Sequence, residues 1–159
     1  MWGHYGTGLG CCPTDESGNR QDNFFTPDID WSGYAWTQKI ITFVGGKEYL
    51  NATEQPGYPA TWYAVVDYEN NKAQAPANSS GWFLPSIGQM WNVYHNRTSL
   101  FDGKTGVSAL QRSWYYCSSS ESSYRDPECY ALVVFMSDGY VYYISKDKIY
   151  SYVRPVLAF

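Results

Sequence analysis

The run Gly81-Trp82-Phe83-Leu84-Pro85-Ser86-Ile87-Gly88-Gln89-Met90-Trp91 limits the possible folds of this chain more than any other stretch. Trp82, Phe83 and Leu84 are bulky and apolar and belong in a core. Pro85 fixes its own φ and pushes Leu84 into an extended conformation. Ser86 then stands as a helix N-cap with Gln89 three residues on, which makes a capping box in which each residue satisfies a backbone amide of the other. Ile87, Met90, Trp91 and Tyr94 recur at helical spacing. The run reads as a short buried extended piece, a sharp corner, and an amphipathic helix from Ser86 to about Asn96.

Around this corner the 159 residues suit one domain with a sizeable core. Residues 1–37 are rich in Gly, Asp, Asn, Thr and Pro and predict an ordered, loop-rich extension. Its aromatic residues, from Trp2 to Trp36, argue against disorder and for packing on a main body formed by residues 38–159. Lys39-Ile40-Ile41-Thr42-Phe43-Val44 is β-branched and apolar and closes on Gly45-Gly46, the pattern of a first strand. Pro59 suits a first helical position, and the apolar residues after it predict a helix to about Asn70. Residues 71–80 read as a polar loop and 96–106 as a second irregular stretch. From Ser113 onward the pattern is β: Trp114–Ser119, Glu128–Met136, an Asp138-Gly139 hairpin turn, Tyr140–Ser145, and a closing strand Tyr152–Phe159. Pro155 lacks an amide donor, so that last strand lies at an edge or is bulged. The sum is an α+β domain with helices segregated from an antiparallel sheet.

Composition restricts the function classes. The formal net charge is −4, only 16% of residues are charged, and no basic stripe occurs, so nucleic acid is a poor partner. No apolar run reaches the length of a membrane span. Met1-Trp2-Gly3-His4 lacks a signal-peptide pattern, so the chain is expected to be intracellular or trimmed from a longer protein. Aromatic residues make up 19%, with 16 Tyr. That many tyrosine hydroxyls call for either an aromatic-rich core with partners for each or an exposed binding surface.

Four motifs in order, Gly-Trp-Phe-Leu-Pro-Ser (81–86), Cys-Ser-Ser-Ser-Glu (117–121), Phe-Met-Ser-Asp-Gly-Tyr-Val (135–141) and Val-Arg-Pro-Val (153–156), give the chain a resemblance to the C-type-lectin-like domains of bacterial surface proteins and phage tail proteins, particularly those of gut Bacteroidetes. The likeness covers about residues 38–159, and Cys117 departs from it where the family often carries Trp. The resemblance implies two helices packed on antiparallel sheets, with the first and last strands paired. It also implies a ligand face on the sheet and loops between the last helix and the C-terminus. The richness of residues 115–152 in Tyr, Ser and Asp is similar to variable proteins of diversity-generating retroelements.

The hairpin independently suggests a binding face. Ala131, Val133 and Phe135 alternate with Tyr130, Leu132, Val134 and Met136, and Val141 and Tyr143 alternate with Tyr140 and Tyr142. Both faces are apolar or aromatic, so either both are buried or one is an exposed patch that marks a partner site. The neighbouring 118–126 loop mixes Ser with Tyr124 and Arg125, a composition suited to adaptable recognition. The expected ligand-binding residues are Tyr116, Ser122, Ser123, Tyr124, Arg125, Asp126, Tyr130, Leu132, Val134, Tyr140, Tyr142 and Tyr143. The expected partner is a protein or glycan receptor on a cell surface, engaged outside the cell by a parent protein or assembly, without nucleic acid or membrane insertion. A structural subunit of a surface or tail assembly is the alternative.

Catalytic and metal patterns are weak. Asp28-x-Asp30-x-Ser32-Gly33 starts like an EF-hand loop, but Lys39 stands where a bidentate Glu is needed. The Glu-Pro-Asn and Trp-Asn-Asp motifs of calcium-dependent sugar-binding lectins are absent. Ser145-x-x-Lys148 and Lys104-Thr105-Gly106 occur in the reverse of the order used by penicillin-binding enzymes. No catalytic residue, metal or cofactor is therefore expected. Of the four cysteines, Cys11 and Cys12 are adjacent, and no pair has zinc-site spacing. Cys117 and Cys129 flank a polar loop and are compatible with a cross-strand disulfide or with two buried thiols. As a reactive pair they would suit the oxidases that share the wider fold. Asn51-Ala-Thr53, Asn78-Ser-Ser80 and Asn96-Arg-Thr98 are glycosylation sequons that here indicate polar loops.

Overall fold

A computed structural model describes residues 2–52, 57–106, 108–148 and 151–159. Among the described residues the fold is α+β, with four helices and one three-stranded antiparallel sheet. The corner forms as its residues dictate. Helix α3, Ile87–His95, begins after N-cap Ser86, whose backbone N–H donates to Gln89 Oε1 at 2.9 Å within a complete capping box. The Ser86 hydroxyl donates to the Asp30 carbonyl (2.6 Å), and the Ile87 amide donates to Ser120 Oγ (2.9 Å). A Cβ at position 88 would collide with the carbonyl oxygens of Pro27 and Asp30, so only glycine lets α3 lie this close to the short 3₁₀ turn Pro27–Ile29.

The segment expected to be the first strand is instead helix α1, Gly33–Val44. The β-branched run favours a strand, but Gly33, Thr37 and Ile40 fall at i, i+4 and i+7 and are the residues α1 buries. Thr37 Oγ1 donates to the Leu84 carbonyl and also accepts the Leu84 amide, both at 3.1 Å. Gly45, read as a strand end, is a left-handed helix C-cap at φ 95°, and the Gly46 amide bonds back to the Ile41 carbonyl. The position between residues 37 and 38 lies inside α1. With no strand at 38–44, the pairing of first and last strands does not form.

Helix α2 follows Pro59 as expected. It joins an α-helical turn (Pro59–Trp62), a π-helical turn (Tyr63–Asp67) and a final α-helical turn (Tyr68–Asn71). A short helix α4, Arg97–Phe101, occupies part of the stretch expected to be irregular. Thr53 of the Asn51 sequon lies outside the described residues.

The sheet has the order β1-β2-β3, with β1 Tyr115–Glu121, β2 Tyr130–Phe135 and β3 Val141–Ser145. Gly139 makes the β2–β3 turn at φ 79°, and a Cβ there would strike the Tyr94 ring. The 152–159 segment is not a regular strand. It makes isolated bridges, Tyr152 parallel to Tyr116 and Val156 antiparallel to Phe83, on either side of Arg154 and Pro155. β2 is buried on both faces. Ala131 joins a cluster with Trp2, Cys11, Ile40, Leu84 and Cys117, while Leu132 and Val134 join Ile87, Met90, Tyr116 and Met136 under α3.

A polar seam crosses this interior. The β1–β2 register shifts between Cys117 and Glu121, and the bulge turns three serines inward. Ser118 Oγ donates to the Leu132 carbonyl (2.7 Å) and Ser120 Oγ to Asp30 Oδ2 (2.7 Å), while the Ser119 amide donates to the Pro85 carbonyl (2.7 Å). Asp30 Oδ1 also accepts the Trp36 indole N–H (3.0 Å), so this carboxylate, read as an EF-hand mimic, serves packing. Glu121 and Lys146 form an ion pair at 2.6 Å with both side chains fully buried. The amides of Leu9 and Cys11 complete Glu121's acceptor sites, and Lys146 also donates to the Thr7 carbonyl. The Lys146 ammonium lies 4.8 Å from the Trp2 ring centroid, and the Trp2 indole N–H donates to the Ser118 carbonyl. These contacts pin residues 2–11 across the sheet.

All four cysteines are free. Cys117 is paired with Val133, four residues along β2 from Cys129, so the two thiols do not face each other. Burial pushes the Cys117 thiol up to about 12.

Candidate aromatic binding site

The site is built where β3, the edge strand of the sheet, runs past α3 and the Phe24–Pro27 loop. An open groove of about 900 Å³ lies there. It is lined by Tyr140–Tyr143 of the hairpin, by Phe24, Phe25 and Pro27, and by Trp91 and His95 of α3. Trp91 and His95 are one helical turn apart on α3, with ring centroids 4.1 Å apart. The Phe24–Phe25 pair is held by Asp22, whose Oδ1 accepts both phenylalanine amides, at 2.9 and 3.0 Å. Buried Asn23 ties this loop to the one beyond β1. It accepts the Ser123 amide through Oδ1, and its own amide donates to Ser123 Oγ.

The rings form one connected surface. Phe24 stacks on Tyr124 (5.2 Å, 16°) and tilts against Tyr143 (5.5 Å), and Tyr130 meets Tyr143 edge-on at 5.5 Å. Arg125 caps the far end, with its guanidinium 5.3 Å from the Tyr124 centroid and 5.0 Å from that of Tyr143. Arg125 also donates to the Tyr143 hydroxyl at 3.1 Å, and that bond is the main reason its pKa is raised. Several rings remain open to solvent: Tyr140 is 68% exposed, Phe25 65%, Tyr124 52% and Tyr142 38%. Partial burial, and then the charge of Asp138, raise the Tyr142 hydroxyl above its ordinary value of 10.0, so it remains a hydrogen-bond donor at neutral pH. Other than tyrosine, the ionisable groups lining the groove are His95 and Asp138.

Of the twelve residues expected to contact ligand, Tyr124, Arg125, Asp126, Tyr140 and Tyr142 are exposed, and Ser123, Tyr130 and Tyr143 are half-buried. The remaining four are buried and lie beneath the surface: Tyr116, Ser122, Leu132 and Val134. β2 is the central strand, so its side chains pack against α3 on one face and against the Trp2–Leu84 cluster on the other. Ser122 and Asp126 act locally, whereas Ser123 bonds Asn23 across the two loops. Ser122 Oγ accepts the Arg125 amide, and Asp126 Oδ1 accepts the Glu128 amide. Phe24, Phe25, Trp91 and His95 were not foreseen as site residues. The i, i+4 spacing of Trp91 and His95, at the border of the apolar face that buries Ile87 and Met90, was the available signal.

Comparison with protein families, with curated proteins and with solved structures found no match for this chain.

Proposed function

We propose that this chain is a ligand- or receptor-binding module that works through the aromatic groove rather than by catalysis. The observation carrying this reading is an open groove of about 900 Å³ lined by the solvent-open rings of Phe25, Tyr140 and Tyr142, with exposed Tyr124 stacked on its Phe24. Exposed aromatic area of this kind marks partner sites. Tyrosine also supplies contact area at low cost in side-chain entropy. Under this proposal the α+β fold is C-type-lectin-like and the module belongs to a bacterial surface or phage tail protein. It acts outside the cell on a protein or glycan receptor, and the surface near the C-terminus is a candidate for retroelement-driven variation.

Self-assembly of a structural subunit through the same face is the second reading, favoured by the outer edge of β3, which pairs with no other strand among the described residues. An oxidase on this fold has less support, because Cys117 and Cys129 stand apart.

The test applies the wild-type chain and a Tyr124→Ala/Tyr142→Ala variant to intact bacterial cells and to a glycan array. Wild type is expected to bind at least one target and the variant to lose that binding by tenfold or more. Equal binding by both proteins, or no binding by either, would contradict the proposal. Molecular mass that rises with concentration in light scattering, and falls in the variant, would favour self-assembly instead.

A further inference from the structure

We propose that the groove takes its partner as an added β-strand: an extended, mainly apolar peptide segment that pairs with the outer edge of β3. The inference rests on the binding reading above and specifies the ligand class. It follows from the phase of the hydrogen-bond ladder. In an antiparallel pair, opposed residues alternate between those that exchange backbone hydrogen bonds and those that do not. The Phe135 amide donates to the Tyr140 carbonyl, and the Lys146 amide donates to the Cys129 carbonyl. With the β2–β3 register of Val134↔Val141 to Tyr130↔Ser145, the bonded pairs between those ends are Val133–Tyr142 and Ala131–Ile144. Val141 and Tyr143 therefore turn their N–H and C=O groups away from β2. The β1 side agrees: the Met136 amide bonds to the Trp114 carbonyl, which directs the even-numbered residues of β2 to β1.

β3 is the last strand of the sheet, and none of the four outward groups of Val141 and Tyr143 has a hydrogen-bond partner among the described residues. Unpaired edge groups are a template for another strand, and peptide recognition by strand addition uses such an edge beside side-chain pockets. Here both features coincide, since Val141 and Tyr143 line the groove with Phe25, Trp91 and Tyr140. Charge narrows the occupant. Asp138 is the carboxylate at the turn end of the groove, on a chain of net charge −4, so a basic residue of the peptide is favoured there. Arg125 occupies the other end and disfavours a second cation.

The probe is a synthetic ten-residue peptide alternating Val and Thr with one terminal Lys. Its control is the same peptide N-methylated at alternate residues on its pairing edge. The readout is amide hydrogen exchange of the full chain. The peptide should slow exchange at Val141 and Tyr143 at least tenfold and leave Tyr142 and Ile144, already bonded to β2, unchanged. The N-methylated control should do neither. Val141→Pro removes an N–H that β2 does not use, so it should keep the fold and abolish the protection. Protection by both peptides, or by neither, overturns the proposal. So does a wild-type dimer whose mass falls in Val141→Pro, which would assign the edge to a second copy. If Val141→Pro still binds cells or glycans while Tyr124→Ala/Tyr142→Ala does not, the aromatic face stands and strand addition alone falls.

Discussion

The two sides of this sheet reverse the usual disposition of polar and apolar groups. On the side that meets residues 2–32, the interior holds Glu121, Lys146, Asp30, Asn23 and three serines, all fully buried. Along the β3 edge, Phe25, Tyr124, Tyr140 and Tyr142 face water. Buried polar groups persist only when each has its hydrogen-bond partners, and here nearly every partner is far away in sequence: Leu9 and Cys11 for Glu121, Thr7 for Lys146, Ser120 for Asp30. The polar seam is therefore a fastener that fixes where the amino-terminal segment lies. Exposed rings bury little area and contribute little to folding; others, such as Tyr5, Trp31 and Tyr49, are exposed elsewhere, but the four along β3 adjoin one groove, which fits a role outside folding. The difference teaches that in this chain the buried polar groups hold structure together, while the open aromatic edge is the surface on which the binding proposal rests.

The seam should give the largest effect. Glu121→Ala leaves the Lys146 ammonium buried without its counter-ion, and deletion of one partner of such a pair costs about 3–5 kcal/mol. Urea unfolding is expected to show a loss of that size. Gly139→Ala is next, because it places a Cβ at positive φ and against the Tyr94 ring. A loss of about 1–3 kcal/mol is expected, with the turn between β2 and β3 disturbed in amide exchange.

Alkaline titration sharpens the same contrast. Burial raises the Cys117 thiol from its ordinary 9.0 to about 12, and burial likewise raises Cys11 and Tyr58. The folded state thus keeps protons that the unfolded chain releases. Stability should be level below about pH 9 and fall as pH climbs from there toward 12. Cys117→Ala should flatten part of that decline in pH-dependent melts. In native labelling at neutral pH, Cys129, which is only half-buried, should react before Cys11, Cys12 or Cys117.

Local signals made much of this legible in the sequence. The Ser86–Gln89 capping box, Pro59 at a helix start and the Asp138-Gly139 turn each act within a few residues, and each stands in the structure where the sequence pattern puts it. Lys39–Val44 was misleading because its β-branched residues satisfy strand preference, while the burial of Thr37 and Ile40 against Leu84 decides for helix. The Cys-Ser-Ser-Ser-Glu motif was legible as a motif but not in its role. Only the fold reveals that the serines bond to Asp30, Leu132 and the start of α3. The groove was half legible. β3 supplied Tyr140 and Tyr142, but Phe24 and Phe25 come from a loop more than a hundred residues earlier, and no periodicity links them.

The most direct test compares two unfolding free energies, one for Tyr124→Ala/Tyr142→Ala and one for Glu121→Ala, each measured by urea denaturation against wild type. Exposed rings and a buried ion pair predict a loss below about 2 kcal/mol for the first and above about 3 kcal/mol for the second. The reverse order would mean that the rings hold the fold together and the polar seam does not, and the separation of roles drawn here would be wrong.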